Sequence, residues 1–323
     1  MPVSREILWD IARELGFTSM GITAPNHALP LPGTPMKALP FEPRSIVALV
    51  MPTFKWADSA SPPEKAPEKD AAEFAAAYIG MNTTHHKSGE WMERVRALGI
   101  QAERLSAIRS KTAALFAGLG EYRMNTLLYT REHGSYICIQ VFAISALYEP
   151  DEPARCGNPE RADLAPGCVG CRRCVKACPT GALDGKGGID VNKCLRFHMF
   201  SGKPTPVEYR RLMGRQLIGC EVCQFVCPME PPTVGIIQRE DWPWLRMENL
   251  LEPSTETLDA MGKAIGVNYA RLRRVQAQTA LIAGNFCRRE YLPPLKRLMV
   301  VNDPTVSEHA QWAAERIQYG CPE

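Results

Sequence analysis

Seven cysteines of this chain fall into two runs: Cys168, Cys171, Cys174 and Cys178 ahead of Pro179, then Cys220, Cys223 and Cys227 ahead of Pro228. The first run reads C-x2-C-x2-C-x3-C-P, a spacing in which three thiolates serve one 4Fe–4S cluster and the fourth reaches a second cluster. Soft sulfur donors suit iron, and the prolines turn the chain away without needing a backbone donor. Structural zinc would leave the third and fourth cysteines of the first run unexplained. Disulfides seldom join neighbours at x2 spacing, and no secretion signal is legible in the chain. The second run lacks a first cysteine, so two clusters need an eighth thiolate, and Cys194, between the runs, is the candidate. By the crossing rule cluster one takes Cys168, Cys171, Cys174 and Cys227, and cluster two takes Cys178, Cys194, Cys220 and Cys223. A chain so equipped moves electrons.

Of the remaining cysteines, Cys138 alternates with Ile137 and Ile139 in a strand-like stretch and reads as packing, while Cys156, Cys287 and Cys321 read as reduced thiols. The 323 residues, 45% hydrophobic, suffice for two or three units, and a net charge of +3 does not by itself argue for nucleic acid. The opening MPVSREILWDIARELGF is a mixed amphipathic helix without an apolar signal core. No run approaches a membrane span, which sets the expectation of a cytoplasmic protein with no membrane partner.

The fold expected is α+β in three parts: an α/β unit over 1–150, a cysteine-held unit over 151–235 and a helical tail over 236–323. Apolar residues at helical spacing predict a first helix ended by Gly16, and 18–23 and 45–51 read as strands, the second apolar enough for burial on both faces. The segment 52–70, rich in Pro, Ser and Lys, reads as a surface connection. Helices are expected near 71–79, 89–98 and 102–117, then two strands around a turn at His133 and Gly134. In the tail, 268–283, 292–301 and 305–317 read as helices, with Asn302, Asp303 and Pro304 as a turn of HEAT type. One such repeat cannot stand alone and must pack on the rest.

The passage GLGEYRMNTLLYTREHGSYICIQVFAIS, followed by the two cysteine runs and the HEAT-like tail, resembles the epoxyqueuosine reductase and reductive dehalogenase superfamily. The linker CLRFHMFSGKPTPVEYRRLMGRQLIGCEVCQFVCP is similar to that of epoxyqueuosine reductases, in which a lone cysteine supplies the missing ligand, and this supports Cys194 independently. The resemblance implies a corrinoid-type α/β domain, a ferredoxin-like double-cluster domain, and cobalamin reduced through the clusters by an external low-potential electron donor. It places Gly118, Gly120, Tyr122, Asn125 and Ser135 toward the corrinoid. Two departures stand out. Family members carry glycine and then a basic residue before the asparagine, where this chain has Arg123 and Met124. Epoxyqueuosine reductases carry an aspartate proton donor in a D-x-x-P-V-L-E-R segment, where this chain has RLSAIRSK with Arg104 near the aspartate's place. The first domain is also short for the family.

Tyr122, Tyr129 and Tyr136 flank the turn expected at the corrinoid, and a tyrosine beside a cation donates protons; Tyr122 is the catalytic candidate. His85 and His86 read as part of a polar loop, and His198 as a neighbour of Cys194 placed either to tune a cluster or to pack. Arg271, Arg273, Arg274, Arg288, Arg289, Lys296 and Arg297 face a single acid, Glu290, within one stretch of the tail; tRNA is a partner such a face admits but not the favoured one. Two readings stay open: a corrinoid-dependent reductase of unknown substrate, without efficient epoxyqueuosine reduction, and a non-catalytic electron-transfer or binding module that docks on a partner protein.

Overall fold

The apolar run at 45–52 lies at the centre of the first unit, because alternate residues of one strand feed two separate cores. Our computed structural model describes residues 3–57, 70–153, 165–231, 233–238 and 242–320. Strands β1 (Ser19–Thr23), β2 (Ser45–Pro52), β5 (Ala102–Arg104) and β8 (Ile137–Ile144) form a sheet in the order β1-β2-β8-β5, antiparallel throughout. Val47, Leu49 and Met51 pack with Leu8 and Ala12 of helix α1 (Arg5–Glu14) and with Trp91 and Val95 of α2 (Ala77–Ala97). Ile46 and Ala48 pack on the opposite face against Ala113, Ala114 and Leu115 of α3 (Ser110–Phe116). Burial on both faces therefore comes from helices laid on each side of an antiparallel sheet. Gly16 ends α1 at φ +92, a conformation that glycine adopts without strain.

Local propensity misreads the middle of this unit. The stretch 71–79, expected as a helix, begins as strand β4 (Glu73–Phe74), and the stretch 89–98 is the second half of a single 21-residue α2. The stretch 102–117 starts as β5, where pairing of Ala102, Glu103 and Arg104 with β8 overrides their helical preference, and only its end is α3. Beyond it, β6 (Glu121–Tyr122) pairs with β7 (Leu128–Tyr129), so the turn at 130–134 joins two strands that belong to different sheets.

The cysteine-held unit is built from short pieces: α4 (Arg173–Ala177), α5 (Leu195–His198), α6 (Val207–Arg210), strand β9 (Gln216–Ile218) and α7 (Val222–Phe225). Helices α8 (Met247–Leu251), α9 (Thr255–Ile265), α10 (Leu272–Phe286), α11 (Leu292–Met299) and α12 (Pro304–Tyr319) form the tail. Its turn obeys the sequence: Asp303 caps α12 by accepting from Thr305 and Val306 N–H, and Pro304 occupies the first helical turn, where no N–H is needed. The tail packs on the rest as a lone repeat must. Its helices share one core with Phe74, Tyr78, Leu217 and Ile218, while β3 (Phe54–Trp56) pairs with β10 (Gly235–Ile237) and β4 with β9, both parallel. Chain from the first unit is thus woven into the two that follow. No helix among the described residues is long and apolar enough to cross a membrane.

Cys138 lies buried on β8, as expected. Cys287, expected as a reduced thiol, is disulfide-bonded, a pairing that no local spacing signals. Cys156, Cys321 and most of the 52–70 connection lie outside the described residues.

Candidate functional site

Each cysteine run folds as a turn leading into a short helix. After Cys168, Gly170 at φ +76 reverses the chain so that Cys171 N–H reaches Cys168 O at 3.2 Å, and α4 then carries Cys174. Cys178 leaves α4 in an extended conformation ahead of Pro179. In the second run, Cys220 precedes α7, Cys223 lies on it and Cys227 follows it. Helices α4 and α7 pack together, which carries the last cysteine of each run toward the other run. Cys168, Cys171, Cys174 and Cys227 line a single narrow cavity, partly open to solvent.

Electrostatics relate the thiols within each group and, through Cys174 and Cys223, across the two. Burial pushes Cys174 up, reinforced by Cys168 and Cys227. Cys220 is pushed up to about 11 by burial, with Cys194 and Cys178 adding to it. Cys223 is pushed up to about 12 by burial, with Cys220, Cys194, Cys174 and Cys178 in reach. Cys178 differs: burial raises it, but hydrogen bonds from the Thr180, Ala182 and Leu183 backbone and the Thr180 hydroxyl hold it below the ordinary thiol value. Half-buried thiols that desolvation discourages from ionising individually are suited to a metal group that supplies the compensating positive charge. The donor set therefore fits iron–sulfur clusters.

The first unit touches both groups through one turn. Met124 N–H points at Cys168 Sγ at 3.5 Å, and Asn125 Nδ2 donates to Cys223 O at 3.1 Å and to the Tyr129 hydroxyl at 3.3 Å. The expected corrinoid residues have other duties here. A Cβ on Gly118 would meet Glu152 O at 2.8 Å and one on Gly120 would meet Tyr129 O at 2.3 Å, so backbone packing alone requires both glycines. Ser135 Oγ donates to Glu230 at 2.6 Å and accepts from Gln224 Nε2 at 2.9 Å. Tyr129 and Tyr136 are buried, and burial holds both phenols above the ordinary range.

Tyr122 is half-buried, which pushes its phenol up, with the Thr112 hydroxyl at 3.4 Å and Lys111 Nζ 5.9 Å from its ring centroid. Sequence reasoning missed Lys111. Burial pushes its ammonium down and the Arg196 charge adds to this, while the Cys223 and Cys194 thiols draw it back; Nζ donates to Thr126 O at 2.6 Å. The available signal was a lysine opening a short helix whose next four residues, Thr112 to Leu115, are all buried.

His85 and His86 stand on α2, not in a loop. Arg104 Nη1 lies 2.8 Å from His85 Nδ1 and Nη2 donates to His85 O at 2.9 Å; burial and then the Arg104 charge push His85 down, so its ring is a neutral acceptor. The adjacent acid, Glu103, is ion-paired with Arg96 at 2.6 Å. His198 Nε2 donates to Asn192 O at 2.7 Å and its ring packs near Phe197 and Tyr209. The tail's basic stretch is less one-sided than its sequence, because distant acids reach it: Arg288 pairs with Asp70 at 2.5 Å and Arg297 with Glu252 at 2.6 Å. Arg271, Arg273, Arg274 and Lys203 share the lining of a second cavity, of ≈ 200 Å³.

Residues 167–230 match the model of a 4Fe–4S double cluster binding domain. The epoxyqueuosine reductase of Bacillus subtilis (strain 168) is 28% identical over 217 residues, 65% of this chain and 53% of that protein. That of Listeria monocytogenes is 38% identical over 112 residues, 35% of this chain and 27% of that protein. The chain thus spans about half the length of the first of these relatives. Among solved structures, an epoxyqueuosine reductase with an epoxyqueuosine-modified tRNA-Tyr stem loop superposes with a TM-score of 0.75 at 21% identity, covering 97% of this chain and 90% of that one. The Streptococcus thermophilus epoxyqueuosine reductase gives 0.72 at 19% identity, covering 99% and 91%. With this α+β fold and its double 4Fe–4S segment, the chain belongs to the epoxyqueuosine reductase/reductive dehalogenase-like superfamily.

Proposed function

We propose that the chain is a reductase that takes single electrons from an external low-potential donor, passes them through two 4Fe–4S clusters, and delivers them to cobalamin held against the first unit. Cys168, Cys171, Cys174 and Cys227 hold the first cluster in this reading, and Cys178, Cys194, Cys220 and Cys223 the second. The observation that carries it is the turn at Met124 and Asn125, which joins the α/β unit to a cysteine of each group. A bare carrier would need only the cysteine-held unit. Cobalamin, when bound, supplies a cobalt centre that is a strong nucleophile and reductant once reduced.

The chain's own part is to hold the clusters, fix the distance between them and the first unit, and bring a proton. Tyr122 is the acid in this reading, with the Lys111 ammonium near its ring to stabilise the phenolate left behind. Contact with the corrinoid falls to Tyr122 and the backbone between Gly118 and Gly120, since the Asn125 amide and the Ser135 hydroxyl are engaged within the protein. The compartment in this reading is the cytoplasm, where thiolates stay available for iron, although the disulfide at Cys287 points the other way.

The substrate differs from epoxyqueuosine in this reading. Arg104, near the place of the family aspartate, is bound to His85, and a guanidinium does not release its proton at working pH. The basic cavity at Arg271, Arg273 and Arg274 is where a tRNA phosphate would bind if tRNA were the partner. The engagement of Asn125 and Ser135 favours the second reading, a module that reduces or docks on another protein without cobalamin. Electron paramagnetic resonance of the protein mixed anaerobically with cob(II)alamin separates the two. A base-off signal supports the reductase, whereas a spectrum identical to free cobalamin supports the module.

A further inference from the structure

Arg123 is an enclosed cation, with 12% of its side chain exposed and one guanidinium nitrogen, Nη2, paired with Glu121. Its guanidinium lies over the Tyr129 ring, 5.3 Å from the centroid. The other two nitrogens, Nε and Nη1, are buried and have no acceptor among the described residues. Leaving charged donors desolvated and unmatched is costly, so an acceptor belongs beside them. Arg123 borders the cavity lined by Cys168, Cys171, Cys174 and Cys227. Nη1 also approaches the residue before Cys168 so closely that a Cβ on Gly167 would sit 3.1 Å from it. Sulfur is the acceptor that four cysteines and an iron–sulfur cluster bring to this space.

We infer that Arg123 is a redox-tuning residue of cluster one: its free N–H groups donate to sulfur of that cluster, and its charge favours the reduced state. The inference rests on the ligand set proposed above. Reduction adds one electron to the cluster and breaks no bond, so the cluster gains one negative charge while the guanidinium keeps its positive one. Cluster potential follows net charge and hydrogen bonds to the sulfurs, and both raise it here. Met124 N–H, 3.5 Å from Cys168 Sγ, acts in the same direction. Glu121 opposes it, because its carboxylate pairs with the same guanidinium. The sequence carries Arg123 at this turn ahead of Asn125, which joins the turn to Cys223 on α7 of the other cysteine group.

The test is a redox titration of the reconstituted protein, with each cluster followed by electron paramagnetic resonance, for wild type, Arg123→Met, Arg123→Lys and Glu121→Gln. Arg123→Met is expected to lower the reduction equilibrium constant of one cluster about tenfold, about 59 mV for one electron, with the other cluster unmoved. Arg123→Lys should fall between, and Glu121→Gln should move the same cluster upward. Two wild-type potentials in an Arg123→Met protein of full iron content would overturn the inference. So would shifts of the same sign in Arg123→Met and Glu121→Gln, the mark of a merely structural disturbance. If Arg123→Met loses iron, Glu121→Gln decides: an upward shift supports tuning, and no shift or a downward one overturns it. Cys171→Ala identifies the cluster-one signal; survival of the Arg123-sensitive signal in that variant would overturn the ligand assignment rather than the presence of a tuning charge.

Discussion

The side-chain amide of Asn125 donates to the backbone carbonyl of Cys223 at 3.1 Å, across 98 positions of sequence, and so ties the α/β unit to the second cysteine group. Asn125 is 3% exposed, and its Oδ1 accepts from Leu127 N–H at 3.3 Å. Asn125→Ala removes the donor from a part-buried hydrogen bond, which costs about 0.5–1.5 kcal/mol. The anaerobic urea midpoint should fall accordingly, with folded protein still obtained. An unchanged midpoint would show that the two units do not depend on this link.

Cluster content follows from the eight thiolates. Wild-type protein prepared anaerobically should hold about eight irons, four per cluster, and Cys194→Ala should hold about four. Cys138→Ala, which alters a buried thiol on β8, should keep the full complement. Full iron in Cys194→Ala would remove that residue from the ligand set.

How much of this was legible in advance depended on whether the signal was local. The cysteine runs were legible because x2 and x3 spacings follow from short turns and helices such as α4 and α7. The tail helices were legible from their period and from the cap at Asp303 and Pro304. Strand β5 was not, since Ala102, Glu103 and Arg104 read as helix until β8 lies beside them. The approach of Lys111 to Tyr122, of Arg123 to the cavity lined by Cys168, Cys171, Cys174 and Cys227, and of Asp70 to Arg288 joins residues that no local period relates. The resemblance supplied the family, but not the internal bonds that occupy Asn125 and Ser135.

His309 gives the tail a pH dependence. Its Nε2 accepts from Thr205 N–H at 2.8 Å and its Nδ1–H donates to Ala277 O, and burial first of all pushes it down to about 4. A histidine lowered from 6.5 to about 4 on folding contributes stability that is whole above pH 6.5 and declines as pH falls toward 4, because the unfolded chain binds the extra proton. Between pH 7 and pH 5 the denaturation midpoint of wild type should therefore fall more steeply than that of His309→Gln, measured in parallel so that acid effects on the clusters cancel. Equal slopes would contradict the assignment.

Trp91 tests the first core. It is fully buried between α1 and the sheet, donates from Nε1 to Leu8 O at 3.1 Å, and packs on Phe142 with ring centroids 4.7 Å apart. Trp91→Ala should cost about 3–5 kcal/mol by loss of packing and the cavity left behind. Chemical denaturation measures this directly, and a loss below about 1 kcal/mol would contradict the packing described.

Loss of a positioned general acid typically lowers rate by about 100- to 10,000-fold. With Arg104 near the aspartate's place, reduction of epoxyqueuosine in tRNA should be slower than in the Bacillus subtilis relative by that order, measured as queuosine formed by mass spectrometry under excess reductant and cobalamin. Comparable turnover would show that another group, Tyr122 foremost, delivers the proton, and Tyr122→Phe would then abolish it.

The most direct test of the account is electron delivery itself. Protein with both clusters reduced, freed of excess reductant and mixed anaerobically with increasing cobalamin in a stopped-flow spectrometer, should reoxidise its clusters as cobalamin is reduced in equal electron equivalents. The rate should level off at high cobalamin, as transfer within a complex requires. A rate that rises linearly without limit, or clusters that stay reduced, would contradict a cobalamin site on this chain.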